Sequence, residues 1–535
     1  MAAIVYQKNK KTGVVYAYES VSYWDREKKQ SRAKRKCIGK VDPETKQIIP
    51  TRKKAPEAFS DKPKRGPVAV TRISRNFYGA TWLFDKIGEK LGLKGDLKEC
   101  FPRTYKQILS TAYFLILEDR NPLSRFPRWS TIHKHPYGKT IPSQRSSELF
   151  ASITEEAKEE FFRLQGKRRA EKEYWAYDTT SISSYSKCLS QVKYGYNKEH
   201  DPLAQINLAM LFGETSQLPF YYRKLAGHIP DVKTLKKLLK DINFMELDRM
   251  KLVMDKGFYS AENINGLYRN HLKFLIAART SLKIVRTGLH SVRDRIRNWN
   301  NYSPTYDCYA CSIPIKWEYS QPRPYKGDVL KENRRMYLHL YYSAERALER
   351  ERAFNKLLHM LQTELESGKR NPDHEKLYST YFEVTDTPVR GIRVVAREEA
   401  IAEKKKNYGY FALLSNDIKE PVEALEIYRN KDLVEKAFGN IKERLNLRRL
   451  AVSSEQSLDG KLFVEFIALI ILSYIKKKMQ ETKLFKTTTM QELLDELDII
   501  ESFEYPGRKP YVGEMTNRQI ELYRKMDVTP PASLQ

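Results

Sequence analysis

The stretch from residue 174 to residue 278 constrains the fold more than any other. Tyr174-Trp175-Ala176-Tyr177-Asp178-Thr179-Thr180 is aromatic and β-branched, which suits a pleated, buried strand. Further strands are predicted over 205–212 and 217–225, joined by a hairpin turn at Gly213-Glu214-Thr215-Ser216. Asp231-Val232-Lys233-Thr234-Leu235 opens a helix, with Asp231 placed to cap it. Lys251-Leu252-Val253-Met254-Asp255 reads as a fourth strand, and a helix and a strand over 273–278 follow. The order β-β-β-α-β-α-β describes an antiparallel trio extended by α/β crossovers, so the fold class is α/β.

A third carboxylate stands in the stretch from Ile427 to Lys442. Read as one helix, Leu433, Val434, Ala437, Phe438, Ile441 and Leu445 form an apolar arc. Tyr428, Lys431, Glu435 and Lys442 fall in a sector roughly 60° wide beside it. The plain reading is an amphipathic helix with Glu-Lys pairs on its wet face. The sharper reading is a phosphate-handling site, in which Glu435 holds a divalent metal while Tyr428, Lys431 and Lys442 grip a nucleic-acid backbone.

This spacing of Tyr, basic residue, Glu and Lys resembles the YREK signature of bacterial insertion-sequence DDE transposases, with Lys431 standing where Arg is usual. A lysine keeps the charge there but loses the bidentate fork. Gly227-His228-Ile229-Pro230-Asp231 is similar to a Gly-Asn-x-x-Asp stretch of that family, and Asp255-Lys256-Gly257-Phe258 to its Asp-Arg-Gly-Phe. His228 is read as a capping or packing histidine before a ligand or base.

The resemblance implies a ribonuclease H-like catalytic core carrying Asp178, Asp255 and Glu435 as metal ligands, with the first and fourth strands side by side, so that Asp178 and Asp255, far apart in the chain, are expected to approach one another. Two Mg²⁺ ions are implied, with Mn²⁺ able to substitute. Such ions, about 3.5–4 Å apart, serve both the attacking and the leaving oxygen of a phosphodiester. Tyr428, Lys431, Lys442, Arg448 and Arg449 become the expected DNA-binding residues. The implied partners are double-stranded DNA, as transposon inverted-repeat ends and target, and a second copy of the chain in a homodimer. The implied setting is the bacterial cytoplasm, at the nucleoid.

The charge agrees with a polyanionic partner. Lys and Arg number 96 against 67 Asp and Glu, a net +29. At 535 residues the chain is too long for one core. No apolar run is long enough to span a membrane; the best, 464–475, contains Glu465 and reads as a buried helix. No secretory signal is expected at the start. The five cysteines are odd in number and scattered, as in a reducing compartment, and Cys308-x-x-Cys311 has no second pair to complete a zinc site.

The expected layout is a basic β element and linker over 1–67, a helical region over 68–172 for transposon-end binding, and a first core segment over 173–278. A mixed, β-rich insertion follows over 279–405, then a second core segment over 406–452 and a helical tail over 453–535, suited to contacts between subunits. Within the insertion, Trp317 is read as a packing residue, with stacking on an unpaired base as the alternative. Three rival functions remain open: another ribonuclease H-like nuclease, a domesticated transposase that binds DNA without cutting it, and a basic structural protein.

Overall fold

The computed structural model describes residues 2–25, 29–51, 74–118, 121–169, 173–186, 188–198, 200–247, 250–322, 328–387, 391–445, 454–505 and 509–532. The chain divides into two compact units, residues 1–71 and 72–535.

The first unit is an antiparallel meander of β1 (Ala2–Lys8), β2 (Val15–Asp25), β3 (Gln30–Val41) and β4 (Ile48–Ile49). Its register places Arg32 opposite Tyr23, Lys34 opposite Val21 and Lys36 opposite Glu19. Cross-strand partners share a face, so the three cations form one exposed row.

The second unit begins with β5 (Ser74–Phe77) and the helices α1 (Gly79–Lys90), α2 (Leu93–Cys100), α3 (Tyr105–Leu117), α4 (Phe126–Ile132), α5 (Ser143–Ala151) and α6 (Glu155–Arg169). The expected strand trio follows as β6 (Tyr174–Ser183), β7 (Gln205–Gly213) and β8 (Pro219–Ala226), each antiparallel to the next. After α7 (Asp231–Phe244), strand β9 (Lys251–Met254) pairs parallel with β6. After α8 (Ala261–Arg269), β10 (Lys273–Ala278) pairs parallel with β9.

Residues 279–405 do not form one separate body. Helix α9 (Lys283–Val292) leads into β11 (Tyr302–Ser303) and a long hairpin of β12 (Cys308–Pro322) and β13 (Val329–Tyr342). Strand β13 pairs with the later β16 (Tyr410–Ser415), which also pairs with β10. The result is one nine-stranded sheet, β11-β12-β13-β16-β10-β9-β6-β7-β8. Only α10 (Ala344–Glu366), α11 (Glu375–Tyr381), the hairpin β14 (Phe382–Thr387) and β15 (Gly391–Ala396), and α12 (Glu398–Lys405) stand apart, around a small core of Phe354, Leu361, Tyr381 and Phe382. The sheet swallowed the first part because β12 and β13 carry enough buried apolar positions to continue it. Trp317 is buried with its indole N–H donating to Asn265 at 2.8 Å, so it is a packing residue and offers no surface to a base. Cys308 and Cys311, both on β12, are free thiols.

The strands at the centre of the sheet are covered on both faces. Leu252, Met254, Phe274 and Ile276 join the large core. Val253, Leu275, Ala277 and Leu413 form a second core with Ala424 and Leu425 of α13 (Pro421–Asn430). This is the period-two alternation of strands buried on both sides. Helix α14 (Asp432–Glu443) follows α13.

The last segment is not a free tail. In α15 (Glu455–Glu481) every residue from Gly460 to Ile475 is buried. Phe463 meets Phe101 and Phe161, and Phe466 meets Phe162 and Tyr222, so α15 joins the amino-terminal helices to the sheet. Gly460 lies against the backbone of Phe150 in α5, where a Cβ would come within 2.1 Å of the carbonyl oxygen. After α16 (Met490–Asp498), β17 (Glu501–Glu504) pairs with β5 and with β18 (Tyr511–Val512), and α17 (Asn517–Lys525) closes the unit. The helices expected as two regions, one before and one after the sheet, therefore share a core. Among the described residues no helix is long and apolar enough to cross a membrane.

Candidate active site

Asp178 lies midway along β6, which is buried along its whole length. The parallel register pairs Tyr177 with Met254, so Asp178 and Asp255 are the next residues on adjacent strands. They follow the alternation of Ala176 and Val253, which are paired, and so belong to the face that carries α13. Asp178 is only 8% exposed. Its carboxylate accepts the Thr179 N–H at 2.7 Å and lies 3.4 Å from the Lys198 ammonium. Burial pushes its pKa up, while Lys198, Lys431 and the Thr179 amide pull the other way. Asp255 sits just beyond β9 in extended backbone and accepts the Tyr428 hydroxyl at 2.8 Å. Burial, and then the adjacent Asp255 charge, push the Tyr428 phenol far above its ordinary range.

The stretch expected as one helix is two. Helix α13 ends at Asn430, α14 starts at Asp432, and Lys431 lies between them. The Lys431 N–H reaches back to Tyr428 O at 3.2 Å and Val434 N to Lys431 O at 2.9 Å, both three residues apart. These tightened turns break the i→i−4 ladder. As a result Tyr428 turns into the sheet, towards Asp255, instead of sharing a wet stripe with Glu435. Lys431 has a side chain only 6% exposed, with its ammonium 3.4 Å from Glu435. Glu435 itself is 64% exposed.

Asp178, Asp255, Glu435, Lys431 and Lys442 line one cleft of about 790 Å³, together with Thr179, Tyr196, Lys198, Asp231, Lys256 and Arg279. Its lining carries five cations and four carboxylates. Among the described residues no group of three or more His, Cys, Asp or Glu is arranged to hold a metal ion. Asp178, from the middle of β6, and Asp255, just past the end of β9, line the same cleft as Glu435, which is paired with Lys431. Arg448 and Arg449 lie outside the described residues. His228 is exposed and is not among the residues lining the cleft.

Asp231 does not cap α7, because Pro230 takes the N-cap position and no side chain caps the helix. Its carboxylate turns into the cleft instead, accepting the Thr179 hydroxyl and standing 3.3 Å from Lys198. Lys198 also donates to the Thr179 carbonyl at 2.6 Å, and the carboxylates of Asp178 and Asp231 raise its pKa against the opposing effect of burial. Sequence reasoning missed Lys198 because it lies in the irregular connection between β6 and β7, where no periodicity marks it. The Gly227-to-Asp231 motif carried a signal for Asp231, but a capping role explained it first.

The sequence matches the profile of the transposase DDE domain over residues 169–471, more than half of the chain. The chain belongs to the DDE transposase family. A search of curated proteins gave no match. Among solved structures, the cryo-EM structure of a piggyBac transposase synaptic complex with hairpin DNA is similar at 11% identity and a TM-score of 0.35. That match covers 79% of this chain and 77% of the other. It is too shallow to carry anything over to the site. The matched span of the DDE family contains the cleft and all four carboxylates that line it.

Proposed function

We propose that this DDE transposase cuts DNA at the inverted-repeat ends of a mobile element and joins the freed 3′-hydroxyl to target DNA. Asp178, Asp255 and Glu435 are the catalytic set in this reading, and the core is ribonuclease H-like. Central strands in the order β8-β7-β6-β9-β10, three antiparallel and then two parallel, support that core. The observation that carries the proposal is that Asp178 and Asp255 stand at adjoining places in the parallel register of β6 and β9 and line one cleft with Glu435.

The donors fit a divalent metal in kind, since all three are carboxylates, the hard oxygen ligands that suit Mg²⁺ or Mn²⁺. Asp178 and Asp255 would hold the metal from the sheet, and Glu435 from α14. When bound, such ions polarise the scissile phosphate and favour ionisation of the attacking hydroxyl. The protein's own groups do the rest. Tyr428 fixes the Asp255 carboxylate through its hydroxyl. Lys431 holds Glu435, and Lys198 offsets the charge on Asp178 and Asp231. Lys442, Lys256 and Arg279 offer the DNA backbone cationic contacts along the cleft. Two copies of the chain would bring two DNA ends together.

The test is incubation of the full chain with Mg²⁺ and a plasmid carrying the DNA that flanks its own gene, followed by mapping of 3′ ends. Cuts at the repeat boundaries are expected, and none with Asp178→Asn. Wild-type binding without cuts in either Mg²⁺ or Mn²⁺ would overturn the catalytic reading and leave a DNA-binding protein.

A further inference from the structure

The connection between β6 and β7 carries two of the most exposed aromatic side chains in the described chain, Tyr194 at 75% and Tyr196 at 79%. Burying a tyrosine is favourable, so two of them held out in water need a reason. The backbone beneath them is fixed. Lys193 exchanges both of its main-chain hydrogen bonds with Gln205, at 2.9 and 3.0 Å. Gly195 lies so close to Gly227 that a Cβ would come within 2.1 Å of the Gly227 carbonyl oxygen. The Tyr196 carbonyl accepts from the Gln205 side chain at 3.0 Å, and Asn197 donates to Ser183 at 3.2 Å. Lys198 then anchors the segment to Asp178, Asp231 and the Thr179 carbonyl.

The segment that bears the two phenol rings is therefore held at Lys193, Gly195, Tyr196, Asn197 and Lys198. Tyr196 lines the cleft, and among the described residues the one aromatic ring its own meets is that of His200, edge-on at 6.4 Å. A rigid aromatic ring beside a cation-lined groove is the arrangement that accepts an unpaired base by stacking while cations track the backbone. Trp317, the aromatic weighed in the β12 strand for such a role, is buried and hydrogen-bonded, which leaves Tyr196 as the candidate at the cleft, with Tyr194 two residues before it.

We propose that Tyr196, supported by Tyr194, is a stacking platform for an unpaired nucleotide at the DNA end held in the cleft. This rests on the reading of the cleft as a DNA-processing site. It adds that the strand entering it is locally unpaired, and that the platform belongs to the β6–β7 connection.

The test uses the full chain without divalent metal, so that no cutting occurs. Two probes are compared: a blunt duplex, and the same duplex with a three-nucleotide single-stranded extension carrying 2-aminopurine. Stacking contributes about 1–3 kcal/mol per base and tolerates any sequence, so the extension need not be the native end. The wild-type chain should quench the 2-aminopurine and bind the extended duplex about tenfold more tightly than the blunt one. Tyr196→Ala should abolish that preference and the quenching, costing the extended duplex about tenfold more affinity than the blunt one. Tyr196→Phe should retain both, since the face of the ring is kept. An equal loss on both duplexes with Tyr196→Ala, or none on either, would overturn the platform. Failure of the catalytic reading shows separately, as absent plasmid cutting in Mg²⁺ and Mn²⁺ whatever the quenching.

Discussion

Lys198 and Lys431 each hold a cation against a carboxylate of the cleft, and this sets how the acids titrate. Burial raises Asp178 and the two lysines oppose it. A raised carboxyl stays protonated to a higher pH, and a protonated carboxyl is a poor ligand. Lys198→Met should therefore move the acid limb of the cleavage pH profile upward, read from initial rates between pH 5 and 8 under constant salt. An unmoved limb would mean that Lys198 does not govern Asp178. Tyr428→Phe removes one hydroxyl and keeps the packing. Hydrogen bonds to charged groups contribute about 1.5–3 kcal/mol, so the urea unfolding midpoint should fall measurably and cutting should slow by about tenfold or more. Glu435→Gln should lower cutting by roughly 10²–10³-fold, the scale of losing one preorganised electrostatic contact, with duplex binding retained in a gel-shift assay.

At the scale of elements, α15 contains a carboxylate where apolar packing would be expected. Glu465 is 1% exposed, neither of its oxygens has a hydrogen-bond partner among the described residues, and the Lys461 ammonium is 3.7 Å away. Burial pushes its pKa up to about 8, with Lys461 opposing. Since the folded value lies above the unfolded one, its favourable contribution is complete below the ordinary carboxylate range and is lost as pH rises through about 8. Thermal unfolding followed from pH 6 to pH 9 should show the wild type losing stability where Glu465→Gln does not. The loss is of order a few kcal/mol. Parallel curves for the two proteins would show that Glu465 is solvated after all.

How far the sequence disclosed these elements follows from where its signal was local. The strand carrying Asp178 was legible as a compact run of aromatic and β-branched residues, and the one leading to Asp255 as a short apolar run, Leu252-Val253-Met254. The helix pair at Lys431 was not, since a tightened turn leaves the apolar spacing of Val434, Ala437 and Phe438 unchanged. The partner of Tyr428 was missed for the same reason. The joining of β13 to β16 escaped because pairing across the intervening helices and hairpin of residues 343–409 leaves no local trace. Buried Trp317 shows the same limit, as its hydrogen bond to Asn265 is set by tertiary packing alone.

For the whole molecule, residues 72–535 form one compact unit and residues 1–71 another. Deleting residues 1–71 should leave the thermal unfolding temperature of the remainder unchanged within a few degrees in a calorimeter. A chain ending before Ser454 should fail to fold, because each lost Leu, Ile or Phe of α15 forfeits about 1.5–3 kcal/mol of burial against a typical total stability of about 5–15 kcal/mol. Its circular dichroism would then lack a cooperative thermal transition.

The pairing of β5 with β17 also has a temporal consequence. Arg75 reaches Glu501 across 426 positions of sequence, at 2.8 Å. A ribosome adding about 5–20 residues per second needs roughly 20–85 s to deliver the second strand after the first. For the later part of that interval β6 to β10 have been made, while α15, which packs on β8, and then β17, which closes the unit, have not. Each molecule of this transposase thus spends much of its birth with its sheet partly uncovered, and conditions that slow translation lengthen its exposure to aggregation and proteolysis.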